Sequence, residues 1–74
     1  MRMTIDVWNE LPFAVRTKLQ IMGKMFNEGT IPKSVVEGQI ITYIDALIDA
    51  EVIGQNESIL LKKYVLSIGR EEQA

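Results

Sequence analysis

Apolar residues recur at helical spacing along most of the chain. From Leu11 they step through Val15, Leu19, Met22 and Phe26, intervals of three and four that place all five on one face of a helix. Pro12 suits a first helical turn, where its fixed φ and missing N–H do no harm. Gly29 offers the left-handed conformation that commonly ends a helix. The pattern therefore predicts a helix over about 12–28. Upstream, Asp6 is placed to cap one short turn through Glu10, which leaves Trp8 packing back on the core.

A second segment opens at Pro32 or Ser34. Ser34-Val35-Val36-Glu37 fits a capping box, in which the serine and the glutamate satisfy each other's neighbouring amides. Val36, Ile40, Tyr43 and Leu47 form its stripe, and Gly54 reads as its stop, giving a helix over about 34–53. A third helix over about 57–69 starts after Asn56, a good N-cap. It carries Leu61, Tyr64, Val65 and Ile68, and Gly69 ends it. The polar tail Arg70 to Ala74 is expected to fray. Val35 to Ile53 is rich in β-branched residues, and Gln39 to Ile44 suits a buried strand on composition alone. The length of the segment and the helical recurrence of its charges favour the helix. The expected fold is all-α: one small domain spanning 1–74, a compact three-helix unit with a short N-terminal turn. Its short connections make sequential helices antiparallel neighbours.

More apolar surface is present than this plan uses. The second helix carries another stripe, Ile41, Ile44, Ile48 and Val52, turned by about 100° from the first. In the third helix Ile59 and Leu66, seven apart, lie opposite the main face, between Lys62 and Lys63. Phe13 projects toward Arg16, Gln20 and Lys24, either folded under Trp8 or exposed. A chain of 74 residues has a single core that seldom supplies more than about 3–5 kcal/mol, so small domains lean on disulfides, metals or association. Contiguous exposed apolar patches mark protein contacts. A helical-bundle homodimer through Ile41, Ile44, Ile48, Ile59 and Leu66 is the resulting expectation, with two-fold symmetry as the commonest form.

Composition narrows the chemistry. The chain has no Cys and no His, which excludes a disulfide framework, a Cys/His zinc site and any Ser-His or Cys-His nucleophile. No Gly-rich phosphate loop is present. Asp45 and Asp49 are the one carboxylate pair on a single helical face. Such pairs hold Mg²⁺ or do acid–base work only in a sheltered cleft, and a solvated polar face is the simpler reading. No enzyme activity, cofactor, metal or small-molecule substrate is expected. The longest uncharged run is Gly38 to Ile44, far short of the about 20 apolar residues a membrane span needs. Asp6 and Glu10 interrupt any signal region. A cytoplasmic protein is the default expectation.

Charge is sorted along the chain, although the net is only −2. Residues 11–33 carry Arg16, Lys18, Lys24 and Lys33 against Glu28; residues 34–57 carry five acids and no Lys or Arg; residues 58–70 carry Lys62, Lys63 and Arg70. An acidic helix between basic ones fits charge complementarity within the chain, and Asp49 and Lys62 lie at comparable distances from the turn at Gly54. Asp45 and Asp49 also repel each other at i,i+4 near a helix C-terminus, a cost that a basic partner would repay. Lys18 interrupts the apolar arc of the first helix. The residues expected to meet a partner protein are thus Arg16, Lys18, Gln20 and Lys24, or Asp45 and Asp49. The expected function is a small non-enzymatic regulatory or adaptor protein acting by protein–protein contact. The alternative is a DNA-binding regulator, because the segment Lys24 to Ser34 imitates a helix-turn-helix. That reading is weakened by Glu37, Asp45 and Asp49 on the would-be reading helix, since phosphate and base contacts favour Arg, Lys, Asn and Gln.

Overall fold

The computed structural model describes residues 4–68. Within them the chain forms α1 (Thr4–Glu10), α2 (Phe13–Glu28), α3 (Lys33–Asp49) and α4 (Gln55–Ser67), with no strand. The all-helical expectation holds and the β-branched stretch is helical. The three-helix count does not hold, because the N-terminal turn is a full fourth helix. Seven residues are too few to stay helical unaided. Tertiary burial supplies the difference: Val7 and Trp8 are buried, α1 packs on α4, and the Trp8 ring centroid lies 4.9 Å from that of Tyr64. Leu11, just past α1, is buried too, so the Val7, Trp8, Leu11 spacing was the overlooked signal.

Helices α2, α3 and α4 pack pairwise around one core. Leu19 from α2, Val36 and Ile40 from α3, and Leu61 and Val65 from α4 are completely buried, and among the described residues no charged or polar one is buried with them. Gly29 ends α2 at φ 77°, as expected. The starts of α3 and α4 differ from expectation. Helix α3 begins at Lys33 with Pro32 as its N-cap and no side-chain cap, so the Ser34–Glu37 box does not form. The Glu37 carboxylate instead lies 3.6 Å from the Lys62 ammonium. Asn56 is likewise inside α4, whose N-cap is Gly54; the Glu57 carboxylate accepts from the Gly54 amide at 2.9 Å.

Helix α3 also stops four residues before the expected end, at Asp49. The amide of Val52 donates to Leu47 O at 2.9 Å and that of Glu51 to Ile48 O at 3.0 Å. Together these bonds make a Schellman cap around Glu51, which takes the left-handed φ of 61°. The early reversal turns Ile53 into the core and frees Gly54 to start α4. The expected stop at Gly69 and the frayed tail lie outside the described residues.

Helices α2 and α4 approach closely at Gly23. A Cβ there would lie 2.5 Å from the Val65 carbonyl oxygen and 2.9 Å from Ile68 Cβ. One turn on, the Asn27 side-chain amide donates to Leu66 O at 3.0 Å.

Candidate interaction surface

The five residues expected to pair two copies are divided by the fold. Ile44 is only 3% exposed and belongs to the chain's own core, which corrects its assignment to an interface. Ile48 and Leu66 are partly buried and pack against that core. Only Ile41 and Ile59 remain available; with Asp45, Ser58 and Lys62 they line a small α3–α4 depression of about 110 Å³. Ile59 is 58% exposed. The physical reason is that α3 packs against both α2 and α4, which buries Ile40, Ile44 and Leu47 within the chain while Val52 stays exposed.

The larger apolar surface lies on the other side, across α2 and α3. Phe13 is 77% exposed, Ile21 55% and Val35 49%. Phe13, Thr17 and Ile21 succeed one another at i, i+4 and i+8, a straight ridge along α2. Thr17 adds little polarity, since its hydroxyl donates to Phe13 O at 3.0 Å within the helix. Ridge and neighbours line an open groove of about 500 Å³. A second open groove, of about 660 Å³, lies against α3 and is bordered by Val35, Gly38, Thr42 and Ala46. Lys18 and Met22 line both, so the two form one continuous surface. Both are open grooves, not closed pockets. Gly38 stands in open space: a Cβ there would meet nothing within 4 Å.

The charged candidates surround this face unevenly. Lys18 reaches across the groove, with its Nζ 5.2 Å from the Tyr43 ring centroid, a favourable placement for a cation. Lys33 makes the same contact with Phe26, at 5.0 Å. Gln20 and Lys24 are exposed. Arg16 is half-buried, and its Nε has no hydrogen-bond partner among the described residues. Asp45 and Asp49 are both exposed, and neither enters an ion pair among the described residues. The expected Asp49–Lys62 neighbourhood is replaced by Glu37–Lys62, because the early end of α3 shifts the hairpin register.

Among the described residues no group of three acids is gathered that could hold a metal ion, and no helix is long and apolar enough to cross a membrane. The exposed face of α3 presents Gly38, Thr42, Asp45 and Asp49. Compared with known proteins, the chain matches no family model, no curated protein and no solved structure.

Sequence reasoning missed the ridge because it ranked helices by their inward stripes. The signal was present: Phe13, Thr17 and Ile21 lie opposite Leu19, Met22 and Phe26 on the same helix.

Proposed function

We propose that this chain is a small non-enzymatic regulatory or adaptor protein of the cytoplasm that acts by protein–protein contact and works as a homodimer. The observation that carries the reading is the ridge on α2, with Phe13 at 77% and Ile21 at 55% exposure beside an apolar groove. Isolated exposed apolar residues are ordinary. A ridge continuous with a groove is not, and it is what a contact surface looks like before its partner arrives. The lack of His and Cys and the open form of the grooves favour binding over catalysis.

The DNA-binding alternative draws less support. In a helix-turn-helix, α3 would be the reader, yet its outward face carries Asp45 and Asp49, and Lys33 at its start rests on Phe26. Sedimentation equilibrium tests the reading. A mass near twice 8.4 kDa is expected at micromolar concentration, and a monomer throughout would overturn the homodimer. Retention of duplex DNA that weakens steeply with salt would favour the alternative.

A further inference from the structure

The continuous groove along α2 and α3 is largely apolar and carries one charge. Among the described residues that line it, Lys18 alone is charged, and none is a carboxylate. Lys18 is exposed and enters no ion pair among the described residues; its Nζ rests 5.2 Å from the Tyr43 ring centroid. The α2 side offers Phe13 and Ile21, both exposed. On the α3 side Gly38, Thr42 and Ala46 succeed one another at i, i+4 and i+8, with Val35, Gln39 and Tyr43 beside them. We propose that this groove binds one amphipathic helix of another protein, whose apolar face carries an Asp or Glu that pairs with Lys18.

Backbone chemistry selects a helix as the occupant. The groove is walled by two helices whose own peptide groups are bonded within them. An extended peptide laid there would bury amides and carbonyls with nothing to bond, at a cost for each group. Gln39 and Thr42, the polar side chains on the α3 wall, are too few to satisfy them. Nor is there a strand among the described residues to which another could add. A helix brings its backbone bonds with it. The α3 wall sets the length, because Val35 to Ala46 rises about 16 Å, or three turns. At Gly38 the incoming backbone can come close, since even a Cβ there would meet nothing within 4 Å.

Charge selects what that helix carries. A wholly apolar helix laid over Lys18 would strip water from the ammonium and leave it only the Tyr43 ring. A charge buried without a counter-charge is costly, and a carboxylate on the incoming face removes that cost. The same reasoning disfavours a second copy. Presenting the same face, it brings another Lys18 and no acid, and like charges suppress such docking modes.

The inference rests on the reading of this surface as a protein contact, and it gives the groove to a different chain. A phage-displayed library of amphipathic helical peptides of about four turns, varied at the centre of the apolar face, is selected against the full chain. Enrichment of Asp or Glu at that centre is expected. Lys18→Glu should shift the enrichment to Lys or Arg and weaken the peptides selected on the wild type by about tenfold or more. Phe13→Asp and Gly38→Leu, both at exposed positions, should abolish binding, and Ile59→Asp on α4 should leave it unchanged. No enrichment, a centre indifferent to charge or to Lys18→Glu, or binding lost with Ile59→Asp overturns the proposal. Sedimentation velocity supplies the other arm. Self-association broken by Phe13→Asp makes a second copy the occupant and also overturns it. A wild-type monomer at every concentration overturns the homodimer alone and leaves the peptide result standing.

Discussion

The side-chain amide of Asn27 in α2 donates to the backbone carbonyl of Leu66 in α4 across 3.0 Å. The same nitrogen lies 2.5 Å from Ile68 O and 3.1 Å from Gly23 O. The last carbonyls of a helix have no partner inside it, so α2 supplies through one side chain what α4 lacks at its end. Asn27→Leu removes the donor and leaves those carbonyls facing an apolar group. A loss of about 1–3 kcal/mol follows, read as a lower urea midpoint, with faster amide exchange in the last turn of α4. An unchanged midpoint would remove Asn27 from the account of how α4 is held.

Two helical glycines are expected to respond to alanine in opposite directions. At Gly23 the added methyl meets the Val65 carbonyl oxygen at 2.5 Å, and that atom is backbone and cannot swing away. Helices α2 and α4 must separate, which costs about 1–3 kcal/mol and outweighs the helix-propensity gain. At Gly38 nothing lies within 4 Å, so the propensity gain of about 0.5–1 kcal/mol stands alone. Thermal melts at concentrations low enough to keep the chain monomeric should show Tm falling for Gly23→Ala and rising for Gly38→Ala. A rise for both would mean that α2 and α4 are less tightly apposed.

The inward stripes were legible because apolar periodicity is a local signal. Leu19, Met22, Phe26, Val36, Ile40, Leu47, Leu61 and Val65 were all placed correctly on faces that are buried. What periodicity does not encode is which neighbour covers which side. Ile44 and Ile59 looked equivalent in sequence, yet the first is buried in the core and the second stands exposed on α4. Helix ends were misplaced for a related reason. Gly54 and Ser34 have the chemistry of a stop and a cap, but α3 starts from Pro32 and ends early in a turn that buries Ile53. The burial of Ile53 is decided across the fold.

The burial of Ile44 gives a direct way to tell core from interface. Ile44→Ala removes a side chain that is 3% exposed in the single chain, and such truncations cost about 2–5 kcal/mol. That is comparable with the whole of what a core this size supplies, so loss of near-UV dichroism at ambient temperature is expected. The loss should be the same at low and high protein concentration. An interface residue behaves otherwise, because association stabilises by mass action. If added protein restored the signal, Ile44 would belong to the contact between copies after all.

Glu51 is the one non-glycine residue at positive φ among the described residues. It stands where a Schellman cap ordinarily takes glycine, and the left-handed conformation costs a side-chain-bearing residue about 1–2 kcal/mol. Its position is exposed, so little packing is at stake in replacing it. Glu51→Gly relieves the strain but adds backbone freedom to the unfolded chain, which offsets part of the gain. A net stabilisation of about 0.5–1 kcal/mol is expected from the balance. Glu51→Val should go the other way, since a β-branched side chain tolerates positive φ least. Urea titrations of the three proteins should therefore rank glycine above glutamate above valine. Glutamate ranking highest would mean that its side chain makes a contribution larger than the strain of its backbone.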